Sequence, residues 1–163
     1  MRLYLTLVLA GVLPFLAKAQ KQLPDVTVRT MAGQSMSITD ILEEEQPVIL
    51  SFWASWCKPC HRELNAFQEN LGQWQERFGV KIVAVTIDTR RQLARAKSIA
   101  ATEGWDFTFL SDQDNQLKNA LNFQAIPQTY LLTPDGTIVY ESNGYVPGAE
   151  KKFEEKLVEL QNE

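Results

Sequence analysis

The chain has 163 residues, with 16 basic and 20 acidic side chains, one histidine and two cysteines. An acidic balance without a basic cluster excludes nucleic acid as the expected partner. The length suits one domain with one core, and the two cysteines stand in a single Cys-x-x-Cys, so any sulfur chemistry is confined to that place.

The chain opens Met1-Arg2, continues through an apolar run from Leu3 to Leu16, and reaches Ala17-Lys18-Ala19. One basic residue, an apolar stretch too short to span a bilayer comfortably, and a small-x-small site predict a secretory signal peptide over residues 1–19. An uncleaved N-terminal anchor is the alternative. Cleavage leaves residues 20–163, and losing Arg2 and Lys18 leaves 14 basic against 20 acidic side chains. Export puts the thiols in an oxidising compartment, where a dithiol persists only if something re-reduces it.

Leu23–Arg29 alternates apolar and polar residues and predicts a strand, turned by Met31–Gln34. Ile38–Glu45 predicts a short acidic helical piece before the break at Pro47. Val48–Trp53 is an apolar strand pattern, followed by Trp56-Cys57-Lys58-Pro59-Cys60-His61 and a helix that runs on through Glu63, with its apolar positions Leu64, Phe67, Leu71 and Trp74 facing a core. Lys81–Asp88 predicts a strand covered on both faces. A helix over Arg90–Glu103 stops at Gly104. Phe107–Leu110 predicts a strand and Asp114–Asn122 a short helix. A hairpin follows, with strand to Thr133, turn Pro134-Asp135-Gly136 and strand Thr137–Tyr140. Asn143-Gly144 turns the chain into a closing helix, Ala149–Leu160, with Phe153, Leu157 and Leu160 on one face.

Two cysteines three positions apart on a helix share a face, near enough for their sulfurs to bond. Cys57 at the helix N-terminus meets unpaired N–H groups and the positive dipole end, which lower a thiol pKa and make it the attacking thiolate. Cys60, one turn in, resolves the mixed disulfide. Pro59 suits the first turn, where its missing N–H costs nothing. As a staple the pair closes too small a loop to contribute much stability, so redox chemistry is the better use of it.

A rival reading shares these residues. Cys57-Lys58-Pro59-Cys60-His61 also matches C-x-x-C-H, the attachment signature of c-type haem, and the alternative function is a redox-inactive module holding haem or metal through Cys57, Cys60 and His61. The strand-to-helix setting, the poorly placed methionines Met1, Met31 and Met36, and the lack of a second histidine weigh against haem. A closed zinc site needs four ligands, and no other Cys or His exists. His61 is expected at the surface. A thiol peroxidase is disfavoured because no Pro-x-x-x-Thr-x-x-Cys setting is present.

Trp56-Cys57-Lys58-Pro59-Cys60, the strand before it, the distant Ile126-Pro127-Gln128-Thr129 and the Pro-Asp-Gly hairpin resemble the thioredoxin superfamily. The leader, the strand and turn at 25–37 and the helix–strand segment at 90–110 resemble its TlpA/ResA group of extracytoplasmic thiol–disulfide oxidoreductases. The resemblance implies an α/β thioredoxin-like fold: a central mixed sheet flanked by helices, with an N-terminal strand extension and a helix–strand insertion. It implies Cys57 as nucleophile, Cys60 as resolving thiol, Pro127 as a cis-proline beside the disulfide, and Ile126 as a backbone partner for an extended substrate. Trp56 resembles the tryptophan flanking the active site, with core packing as its other reading. Thioredoxins proper carry a buried aspartate where this chain has Ser51, whereas the TlpA/ResA group often has a glutamate at the position of Glu63, a candidate proton acceptor for Cys60. An exposed Glu63 aiding the helix dipole is the alternative. Asn65 stands where many members have a helix-kinking proline. The resemblance further implies no cofactor, a monomer, exported proteins with disulfides as partners (haem-attachment cysteines of c-type cytochromes being one substrate class of the group), and a membrane thiol reductant as electron donor.

Overall fold

A computed structural model describes residues 21–43 and 45–162; the expected signal peptide lies outside them. Strand β3 (Val48–Trp53) is the axis of the molecule, with all six residues buried. It pairs in parallel with β4 (Lys81–Thr86) and antiparallel with β6 (Gln128–Leu132). The remaining strands are β1 (Thr27–Thr30), β2 (Ser35–Ser37), β5 (Thr108–Ser111) and β7 (Ile138–Asn143), and the seven run in the order β2-β1-β5-β4-β3-β6-β7. Helices α1 (Lys58–Phe78), α2 (Leu93–Thr102), α3 (Gln116–Leu121) and α4 (Glu150–Gln161) flank this mixed sheet. The thioredoxin-like architecture expected from the sequence is the one observed.

Parallel strands need a crossover, and α1 and α2 supply those between β3, β4 and β5. The strand period of two divides the core. Ile49 and Trp53 pack with Leu64, Phe67, Leu71 and Trp74 of α1 and Phe153 and Leu157 of α4. Val48, Leu50 and Phe52 face Val28, Ile38, Leu117 and Leu121 on the other side. The inward positions read from the helical spacing of α1 are all buried. The helix ends at Gly79, whose positive φ of 64° lets its N–H reach the Gln75 carbonyl.

The helix–strand insertion does more than decorate the fold. Its strand β5 lies between β4 and β1, so the N-terminal hairpin joins the sheet through it.

Several boundaries differ from expectation. The first strand begins at Thr27 rather than Leu23; the segment before it, with no N–H at Pro24, is held instead by the Leu23 amide donating to Gly136 O (2.9 Å). The acidic piece after Ser37 is a single 3-10 turn, Ile38–Ile41, opened by a capping box of Ser37 and Asp40. Strand β4 ends at Thr86, two residues early, and α2 starts at Leu93 rather than Arg90. Strand β7 runs on to Asn143 because Ser142 and Asn143 keep their partners in β6. Among the described residues no helix is long and apolar enough to cross a membrane.

Phe67 is fully buried, with ring centroids 5.8 Å from Trp74 and 5.3 Å from Phe153. Truncation to alanine removes the aromatic contacts joining α1 to α4. Phe67→Ala is therefore expected to lower the unfolding free energy by about 3–5 kcal/mol, read by urea denaturation with the disulfide intact.

Candidate active site

Strand β3 delivers the chain to a tight turn. The Cys57 amide donates to Ala54 O (3.0 Å), and Cys57 then caps α1, its Sγ accepting from the Cys60 amide at 3.3 Å. A sulfur in that position faces the free N–H groups of a helix start, which stabilise a thiolate. Pro59 sits in the first turn. Cys57 and Cys60 form a disulfide, with Cα atoms 5.3 Å apart. Cys57 keeps a small exposed area and Cys60 none, the order expected for an attacking and a resolving sulfur.

The turn is clamped from behind by a residue that the sequence reading left as the tail of a strand. Asp88 is fully buried. Its Oδ2 accepts from the Ser55 amide (2.7 Å) and the Thr86 hydroxyl (2.6 Å), and its Oδ1 from the Ser55 hydroxyl (2.8 Å). A buried carboxylate persists only with such partners. Here they include the backbone two residues before Cys57. An acidic residue ending an apolar strand was the available signal.

Glu63 is 2 % exposed, one helical turn beyond Cys60 and on the same side of α1. The reading of Glu63 as an exposed aid to the helix dipole is therefore wrong: α1 presses this side against the sheet. Its Oε2 accepts from Ser51 Oγ (2.9 Å) and Thr129 Oγ1 (2.8 Å). Burial pushes the carboxyl up to about 7, against the two hydroxyls that pull it down.

The Ile126–Pro127 peptide bond is cis. Pro127 is buried and Ile126 half-buried. The turn after β7 is bound to this loop: the Gly144 amide donates to Pro127 O (2.8 Å), and Asn143 Nδ2 to Gln128 Oε1 (2.9 Å). Trp56 is 54 % exposed, so core packing is not its role; the turn that presents Cys57 also turns this indole outward.

His61 departs from the expected surface position. Its half-buried ring lies edge-on to Trp53 and Trp105, each 5.8 Å away, and Nε2 donates to Ala54 O at 3.2 Å. The Cys57–Cys60 disulfide leaves neither sulfur as a thiolate ligand in this state. Among the described residues no three His, Cys, Asp or Glu side chains are grouped to hold a metal ion. Asn65 leaves α1 unbroken, and its Oδ1 accepts from Trp105 Nε1 at 2.7 Å.

A model of the AhpC/TSA family matches residues 19–141. The thioredoxin-like protein YneN of Bacillus subtilis is 30% identical over 139 residues, 84% of this chain and 77% of that protein. The thiol-disulfide oxidoreductase ResA of Geobacillus thermodenitrificans is 30% identical over 115 residues, covering 71% of this chain and 63% of its own length. Among solved structures, a thioredoxin-like protein from Porphyromonas gingivalis superimposes with a TM-score of 0.76 at 36% identity, over 85% of this chain and 90% of that one.

Two expectations follow. Asp88→Ala leaves the Ser55 amide and hydroxyl without their acceptor, a cost of about 1–3 kcal/mol for each buried donor, measurable by denaturant unfolding of the oxidised protein. The second concerns pH. Glu63 titrates near 7 when folded and near its ordinary 4.5 when unfolded. Between those values the folded chain holds a proton that the unfolded chain has released. Its contribution to stability is therefore full below about pH 4.5 and falls as pH rises, by roughly 3 kcal/mol at most. Unfolding free energies measured across this range should decline more steeply for the wild type than for Glu63→Gln.

Proposed function

We propose that this chain, which belongs to the AhpC/TSA family and is a thiol–disulfide oxidoreductase of thioredoxin fold, reduces disulfides in exported proteins. The observation that carries the reading is the Cys57 sulfur at the head of α1, with the buried carboxyl of Glu63 one turn below Cys60.

The Cys57 thiolate attacks one sulfur of a target disulfide. A bond forms between Cys57 Sγ and that sulfur, the target S–S bond breaks, and the released target sulfur takes up a proton. Cys60 then passes its S–H proton to Glu63 and attacks Cys57 Sγ. The Cys57–Cys60 disulfide forms as the Cys57–target bond breaks, the second target sulfur leaves as a thiolate and takes a proton from water, and the target departs as a dithiol carrying two electrons. A membrane thiol reductant restores the enzyme by the reverse exchange, returning two electrons. Resolution by Cys60 is the step that separates reduction from a stalled mixed disulfide, and a base near neutral pKa beside that thiol serves it.

The remaining roles follow from position. The backbone at Ile126 pairs with an extended target segment as an added strand, beside Pro127, which has no N–H to compete for the thiolate. The exposed Trp56 covers the target next to its disulfide. The apolar leader over residues 1–19 supports an extracytoplasmic place of action, with the rest of the chain working as a monomer.

The test combines turnover with potential. Cys57→Ser should abolish reduction of insulin disulfides, whereas Cys60→Ser should accumulate a mixed disulfide visible on a non-reducing gel. A potential of the Cys57–Cys60 couple near the thioredoxin value of about −270 mV is expected, and one near about −120 mV would make the protein an oxidase.

A further inference from the structure

Glu63 is gripped by two hydroxyls that no cysteine requires. Ser51 in β3 and Thr129 in β6 are direct cross-strand partners, and both are fully buried. Side chains of such a pair leave the sheet on the same face about 5 Å apart. That is the face covered by α1, as Ile49 and Trp53 beside Ser51 show. Both hydroxyls donate to one carboxylate oxygen, Oε2, at 2.9 and 2.8 Å. An oxygen accepting two hydrogen bonds has used the two lone pairs it offers and has no place for a proton.

We propose that Ser51 and Thr129 are positioning residues that pin Oε2 of Glu63, so that Oε1 alone exchanges the proton passed with Cys60. The inference rests on the reading of Glu63 as the proton acceptor for Cys60. In the forward step the S–H bond of Cys60 breaks and an O–H bond forms on Oε1, with both hydroxyl contacts kept throughout. Neither hydroxyl changes partner, so no rearrangement accompanies the transfer. Hydrogen bonds to an ionised oxygen are stronger than to a neutral one. The pair therefore also opposes the burial that drives the carboxyl upward.

Little else disturbs this site. Strands β3 and β6 bring no charged side chain to it. On α1, Cys60 lies one turn before Glu63 and is buried on the same side. From the turn after β7, Tyr145 is near enough to feel the charge of Glu63 and, more weakly, of Glu69; its phenol donates to Glu150 Oε2 at 3.1 Å and is pushed up to about 12 by burial, so it stays neutral where Glu63 titrates.

The experiment follows the Glu63 carboxyl by 13C NMR in the oxidised full chain, together with the pH profile of insulin-disulfide reduction, for wild type, Ser51→Ala, Thr129→Val and Glu63→Gln. Ser51→Ala and Thr129→Val should each move the Glu63 titration, and the matching inflection in the profile, upward by roughly one pH unit. Ser51→Thr, which keeps the hydroxyl, should restore both. Neither change should move the profile in a Glu63→Gln background. If Glu63→Gln leaves the inflection in place, Glu63 is not the proton acceptor for Cys60 and both readings fall. If Glu63→Gln removes it while Ser51→Ala and Thr129→Val lower the rate without moving it, only the positioning claim is overturned. Should Ser51→Ala fail to fold by circular dichroism, Thr129→Val and Thr129→Ser decide the question from the other strand.

Discussion

The hydrogen bond from the Cys60 amide to Cys57 Sγ is the contact on which strand, turn and helix converge. It exists only if Cys57 stands at the cap of α1, and the cap stands there only if strand and helix are both immovable. Burial of every residue of β3 fixes the strand. The apolar face of α1, closed over by α4, fixes the helix. Between them lie four residues, Ala54 to Cys57, of which Ala54 and Cys57 join the core while Ser55 relies on polar contacts. Asp88 holds that interval, so a polar contact at the end of β4 completes what hydrophobic burial begins.

Two of the buried acidic residues, Asp88 and Glu63, illustrate how partner chemistry selects a role. Asp88 is bound through both oxygens, partly by backbone, and serves as a fixed anchor for the turn. Glu63 is bound through one oxygen by two hydroxyls and sits where burial brings its titration near neutrality. The resemblance to thioredoxins proper implies an acid on the strand preceding the motif. Here that strand contributes Ser51, and the acid reaches the same region from the helix. The carboxyl thus stands one turn beyond the second cysteine, with a hydroxyl of β3 on one of its oxygens.

The insertion has an analogous double use. Its strand carries the N-terminal hairpin into the sheet, while the segment leading to that strand locks onto α1. Trp105 Nε1 donates to Asn65, the Asp106 amide donates to Gln68 Oε1 (2.7 Å), and the Trp105 ring helps enclose His61. Asn65 thus replaces a backbone kink with a side-chain contact. The same packing holds the single histidine, adjacent to a C-x-x-C, edge-on to two indoles with Nε2 on a carbonyl at the base of the active-site turn.

Local patterns in the chain were enough to place the strand–turn–helix carrying the cysteines and the inward apolar face of α1. Periodicity and capping act over a few residues and can be read along a line. What the chain alone left open was the fate of each polar residue next to those patterns: Glu63 stood between two readings, Ser51 looked like a substitution, His61 looked exposed and Asp88 carried no role. Only the tertiary structure decided them, because their partners are far apart in sequence, 33 residues between Ser55 and Asp88 and 66 between Glu63 and Thr129. A buried polar group takes its meaning from whichever donor the fold brings to it, and that donor is chosen by strand register and helix placement rather than by neighbours along the chain.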